Sequence, residues 1–91
     1  MEDQTAMNET PEHHEIGERL ARIRWAFSEL NQKDWATKNR FNVAQYNNWE
    51  RGTRRVPVEA AMQLCETYGV TLDFVYRGRT DGLSESLRKS L

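Results

Sequence analysis

Ninety-one residues allow one domain at most, because autonomous domains run from about 50 to 200 residues and small chains bury proportionately little surface. With 37% hydrophobic residues, 30% charged residues and a mean hydropathy of -0.89, no window approaches the roughly 20 apolar residues that a membrane-crossing helix needs. The single cysteine, Cys65, excludes an internal disulfide and a thiolate zinc site, so stability must come from an apolar core.

The opening Met1-Glu2-Asp3-Gln4-Thr5 has neither the basic start nor the apolar stretch of a secretory signal, which gives the expectation of a cytoplasmic protein. The formal net charge is -1, but it is divided unevenly. Residues 1–18 hold six acids (Glu2, Asp3, Glu9, Glu12, Glu15, Glu18) and no Lys or Arg, residues 19–55 hold nine bases against Glu29, Asp34 and Glu50, and residues 56–91 hold four bases and five acids. A basic middle of +6 behind an acidic head is the local field that a phosphate backbone responds to, whatever the average.

In chain order, residues 1–10 are polar and aperiodic, and they predict a disordered acidic tail. Thr10-Pro11 suits an N-cap followed by a tolerated first-turn proline. Ile16, Leu20, Ile23, Phe27 and Leu30 then recur at steps of four and three, which predicts an amphipathic helix over about 12–29. Asn31 with Asp34 opens a second helix, about 32–39, in which the acid sits in the positively polarised first turn. Asn39-Arg40-Phe41-Asn42 breaks the pattern, and Asn42 caps a third helix, about 43–50, with Tyr46 and Trp49 facing inward. Pro57 opens a fourth helix carrying Ala60, Ala61, Met62, Leu64, Cys65 and Tyr68, stopped by Gly69. Thr71 caps a very short fifth through Leu72, Phe74, Val75 and Tyr76, closed by Gly78. After a polar link, Leu83, Leu87 and Leu91 at a spacing of four predict a final short helix. No segment alternates with period two long enough for a strand, so the reading is a compact all-α domain over 11–78, followed by a linker and short C-terminal helix over 79–91.

Catalysis finds no support. The chain has no Ser-His-Asp or Cys-His arrangement and no glycine-rich phosphate loop. The only histidines, His13 and His14, are neighbours that point about 100° apart on a helix and do not chelate one ion as residues four apart can. Neither an enzyme, a cofactor nor a metal site is expected, and Cys65 reads as a small buried hydrophobe.

The informative segment is Gln32 to Gly52: two short helical stripes separated by a four-residue break, the sequence form of a helix-turn-helix. Asn31-Gln32-Lys33-Asp34-Trp35-Ala36 and Trp49-Glu50-Arg51-Gly52 resemble the opening and the close of the motif in the Cro/cI-like (XRE-type) helix-turn-helix family, and the separation from Gln32 to Glu50 is that family's. Leu20, Ile23 and Arg24 resemble its first helix, and Pro57 through Gly69-Val70-Thr71-Leu72-Asp73 its fourth and fifth, so the likeness covers about residues 16–78. It implies a five-helix lambda-repressor-like DNA-binding domain. Two departures stand out. The family's leucine and glycine before the turn are replaced by Asn39 and Arg40, leaving asparagine at 39 or 42 to take any left-handed conformation. Aromatic residues stand at Trp35, Phe41 and Trp49 where aliphatic ones are usual.

The resemblance places the start of the third helix against base edges, assigning Val43, Ala44, Gln45, Asn47 and Asn48 to the major groove. Gln and Asn can bond adenine at two points, and Val and Ala can meet a thymine methyl. Gln32 is the glutamine that the family uses on a phosphate and to brace the recognition helix, and Lys33, Lys38, Arg40, Arg51, Arg54 and Arg55 supply charge for phosphate contacts that position without reading sequence. Arg24 and Glu50 occupy the positions of a structural ion pair between the first and third helices. The expected function is sequence-specific binding of double-stranded DNA by a transcriptional regulator of repressor type, acting through occupancy of an operator. The alternatives are the antitoxin of a toxin–antitoxin pair and a protein-interaction module that has lost DNA binding. A homodimer is expected, and the leucine stripe Leu83, Leu87, Leu91 is either its contact or a cap on the chain's own core.

Overall fold

The computed structural model describes residues 10–91, so the acidic tail expected over 1–10 lies, apart from Thr10, outside the described residues. Among these the fold is all-α: α1 (His14–Phe27), α2 (Gln32–Lys38), α3 (Val43–Arg51), α4 (Val58–Tyr68), α5 (Leu72–Arg77) and α6 (Glu85–Ser90). No helix among them is long and apolar enough to cross a membrane.

The polar residues between the apolar stripes act as the caps their chemistry suggests. The side chains of Asn31, Asn42, Thr71 and Ser84 accept hydrogen bonds from the N–H groups of Asp34, Gln45, Phe74 and Leu87, each satisfying one of the orphan donors of a helix start. The amino end of α1 differs from the sequence expectation. Thr10 does not cap it; residues 11–14 make a turn closed by the His14 N–H on the Pro11 carbonyl, and the His13 N–H donates across the fold to the Gly52 carbonyl at 3.0 Å. That long-range bond fixes the turn's direction, and the regular spiral starts only at His14.

Leu20, Ile23, Trp35, Ala36, Tyr46, Val56, Ala61, Leu64, Phe74 and Val75 form the buried centre, with contributions from α1 through α5. α1 packs chiefly on α3 and also on α5, α2 packs on α3, and α4 on α5. Phe27, on the predicted apolar stripe, stays 36% exposed, because α1 ends there and its ring leans on Tyr68 with centroids 4.8 Å apart. Met62 is also exposed, lying two residues beyond Ala60 and therefore on the opposite side of α4.

Two expectations are corrected. Leu83 is not on the last helix: it precedes the cap Ser84 and is only 4% exposed, while Leu87 and Leu91 pack partly against the same core. The leucines thus cover the chain's own interior. The left-handed residue of the α2–α3 turn is neither Asn39 nor Asn42 but Arg40, at φ 66°. α2 closes with paired bonds from the Phe41 N–H to the Ala36 carbonyl and from the Arg40 N–H to the Thr37 carbonyl, an arrangement that puts the left-handed angle on the residue after the C-cap. Asn39 is that C-cap. Its side chain is committed to the interior, donating to the Trp35 carbonyl and accepting from the Tyr68 hydroxyl, while Gln63 donates to its backbone carbonyl.

A left-handed angle costs a non-glycine residue about 1–2 kcal/mol, part of which glycine returns by enlarging the entropy of the unfolded chain. Arg40→Gly is therefore expected to stabilise the fold by about 0.5–1 kcal/mol, a rise of a few degrees in thermal midpoint for a domain of this size. An unchanged or lowered midpoint would show that the Arg40 side chain contributes more than its backbone strain costs.

Candidate nucleic-acid interface

The segment from Gln32 to Gly52 is held by one carboxylate. Glu50, in the last turn of α3, has a side chain only 3% exposed and faces Arg24 of α1, itself 10% exposed, at 2.8 Å. The pairing is two-pronged, Arg24 Nε to Oε2 and Nη2 to Oε1, and the third guanidinium nitrogen donates to the Leu30 carbonyl at 2.9 Å. Gln32 Nε2, at the first residue of α2, donates to Oε1 at 2.8 Å, and the Tyr46 hydroxyl donates to Oε2 at 2.6 Å. Each carboxylate oxygen thus accepts two bonds, and α1, α2 and α3 meet at this residue.

Burial by itself favours the neutral acid, but the bonds from Arg24, Tyr46 and Gln32 outweigh it and hold Glu50 below the usual carboxylate range. The hydrogen bond to Glu50 raises Arg24 in turn, against the opposing effect of burial. Burial and then the adjacent carboxylate push the Tyr46 phenol up, so it remains a donor.

Beside this hub α1 and α3 touch backbone to backbone. A Cβ on Gly17 would overlap the Glu50 carbonyl group and lie 2.8 Å from the Trp49 carbonyl oxygen, closer than packed atoms sit. Only glycine lets the two helices approach here.

On the side of α3 turned from the core, Ala44 and Gln45 are exposed, one turn from the Asn42 cap. The other residues assigned to base edges sit differently. Val43 is half-buried and packs on the core. Asn47 keeps its Oδ1 buried without a hydrogen-bond partner, so the two-point contact to adenine is closed to it in this rotamer. Asn48 is half-buried, and its backbone and side-chain oxygens both face the Thr53 hydroxyl, at 3.3 and 3.4 Å. Among these five, the exposed pair at the start of α3 offers the open contact surface.

The basic residues expected at phosphates lie on the surface. Lys33, Lys38, Arg40, Arg51, Arg54 and Arg55 are all exposed. The Lys38 ammonium lies 6.0 Å from the Trp35 ring centroid, and the Arg55 guanidinium stands 4.8 Å from that of Tyr76, whose own hydroxyl donates to the Val56 carbonyl. Gln32 braces α3 through Glu50. His14 Nε2 lies 3.2 Å from Glu18 Oε2 one turn on, while the His13 backbone is tied to Gly52 beside Arg51. Among the described residues no group of three or more His, Cys, Asp or Glu side chains could hold a metal ion.

Sequence reasoning missed two members of the site. The Tyr46 hydroxyl was read only as an inward ring, although its spacing of four from Glu50 on one helix was a legible signal. Gly17 carried no signal, since a glycine inside a helical stripe does not announce which element approaches it. Comparison of the chain with protein-family models, with curated proteins and with solved structures finds no match.

The depressed carboxylate of Glu50 fixes a sign. Its contribution to stability is fully present above the ordinary glutamate value of 4.5 and is lost as pH falls through the lower value of the folded state. Glu50→Gln should destabilise the protein by about 3–5 kcal/mol at neutral pH, because Arg24 is left buried without its counter-charge. It should also flatten the decline of stability on acidification. Urea midpoints across an acid pH series would check both; an undiminished acid slope in the variant would show that other carboxylates set it.

Proposed function

We propose that this chain binds double-stranded DNA sequence-specifically, as a transcriptional regulator of the Cro/cI-like helix-turn-helix type that acts by occupying an operator. In this reading residues 11–78 form a five-helix lambda-repressor-like domain. α3 is the recognition helix, α2 crosses the backbone, and α6 is an appended cap. The observation that carries it is the Glu50 hub: a buried carboxylate with four donors from three helices fixes the orientation of α3, while the solvent side of that helix presents an exposed alanine and glutamine. The +6 balance of residues 19–55 supplies the general attraction to phosphate, with Lys33, Lys38, Arg40, Arg51, Arg54 and Arg55 as the phosphate contacts.

Within this reading Gln45 is the principal reader, bonding a purine edge in the major groove, and Ala44 meets a thymine methyl. Gln45→Ala should reduce preference for the cognate site by about 1–3 kcal/mol while random duplex is bound almost as before, because base contacts discriminate and phosphate contacts do not. Competition gel shifts against selected and random duplexes measure this, and equal losses on both would remove Gln45 from the base edge.

A two-fold operator with half-sites about one helical turn apart calls for a homodimer. With Leu83 buried in its own core and Leu87 and Leu91 packed against it, we assign the contact to the apolar side chains left exposed on α4 and α5, Val58, Met62 and Leu72. Met62→Glu is then expected to yield a folded monomer in light scattering over a concentration range; a dimer that persists places the contact elsewhere.

A further inference from the structure

Trp25 is the most exposed of the chain's large apolar side chains among the described residues, at 64%, whereas Trp35 and Trp49 are at 0% and 8%. A single exposed apolar residue is ordinary on a small protein, so the exposure alone decides nothing. Its surroundings do. The ring lies 5.6 Å from the Arg24 guanidinium carbon, and that guanidinium is pinned by Glu50 and the Leu30 carbonyl. The indole is therefore set against the same hub that orients α3.

It also borders a groove of about 360 Å³, with Gly17, Ala21 and the Arg24–Glu50 pair among its lining and Gln32 beside them. Two further charged groups line the groove. Arg22 is exposed on the α1 side, three residues before Trp25, and Glu18 stands one turn nearer the amino end, 3.2 Å from His14. An occupant must therefore offer an apolar face to an indole and a negative charge to an arginine at the Trp25 end, while Glu18 repels an anion at the other. The sugar-phosphate backbone of DNA offers both, a deoxyribose flank and a phosphate, and the groove is bordered by Gln32, the first residue of α2 and the chain neighbour of the exposed Lys33 of the proposed phosphate-contacting set.

We propose that Trp25 and Arg22 form a backbone clamp on α1, with the indole against a deoxyribose and its N–H and the Arg22 guanidinium directed to the adjoining phosphate. The clamp rests on the DNA-binding reading and extends the contact to a helix outside the α2–α3 unit. It positions the protein on the duplex and reads no sequence, so its loss is felt equally on cognate and random DNA.

The unequal exposure of the three tryptophans supplies the test. In the full chain the acrylamide-quenchable part of the indole emission belongs to Trp25, and Trp25→Phe checks this by abolishing it. On titration with random duplex at low salt, with binding followed in parallel by gel shift, quenching should fall to the level of the buried indoles as the duplex saturates. Trp25→Ala should keep its thermal midpoint and weaken binding about tenfold, the scale of one hydrogen bond to a charged group. Arg22→Ala should lower the slope of log affinity against log salt by about 0.9, one phosphate contact. Duplex bound with Trp25 still fully quenchable, or with the Arg22 slope unchanged, overturns the clamp and leaves the DNA-binding reading standing. No gel shift with any duplex sinks both. An indole shielded without DNA, and more so at higher protein concentration, places a second copy of the chain in the groove and overturns the clamp as well.

Discussion

A carboxylate withdrawn from water must be given donors for its lone pairs, and Glu50 obtains all four of its hydrogen bonds from side chains of Arg24, Gln32 and Tyr46. These donors lie on α1, α2 and α3, so the demand for solvation of one charge sets the relation of three helices. The requirement is unforgiving in a way that apolar packing is not. A methyl group can find a neighbour after a small slide, but a buried anion that loses a donor keeps its charge and pays for it. The disposition of α3, and of whatever its outer side meets, follows from this constraint.

Around the hub the interior is filled by two opposite means. On one side large rings occupy the space between the helices: Phe41 stands parallel to Tyr46 and edge-on to Trp49, and Trp35 stacks on Tyr68. On the other side nothing intervenes, and the bare backbone of Gly17 meets the carbonyls that end α3. Bulk holds α2 and α4 away from each other while its absence draws α1 and α3 together. Two features of the sequence fit this division: the rings at Trp35, Phe41 and Trp49 supply the bulk, and Arg40 takes the left-handed angle while Asn39 bonds inward to Trp35 and Tyr68.

Much of this was legible in the chain. The caps at Asn31, Asn42 and Thr71 and the glycine stops at 52, 69 and 78 followed from local chemistry, because a cap needs only its own helix to act. Arg24 and Glu50 emerged from the resemblance, since a pair separated by 26 positions has no local signature. The errors fell where distant parts decide. Thr10 lost its capping role to a carbonyl far along the chain, and Leu83 was drawn from its apparent helix into the core. The left-handed turn residue moved by one position because the closing bonds of α2, which residue type alone does not reveal, select the residue after the cap. The base-edge placement of Asn47 and Asn48 is of another kind: it came from the resemblance, and packing adds that one amide oxygen is enclosed and the other faces the Thr53 hydroxyl.

α3 is supported unevenly along its nine residues. The hydroxyl of Tyr46, the carboxylate of Glu50, the Gly17 seam and the bond from His13 to Gly52 all act on its second half or just beyond. The first turn is held by the single Asn42 cap and by the packing of Phe41 and Val43. The helix behaves like a beam built into a wall at one end and resting on a prop at the other. Damage at the walled end brings down the domain, whereas damage at the prop leaves the domain standing and lets the end bearing Ala44 and Gln45 waver. Two classes of defect, loss of folding and loss of local order at one end, are thereby separated along a single short helix.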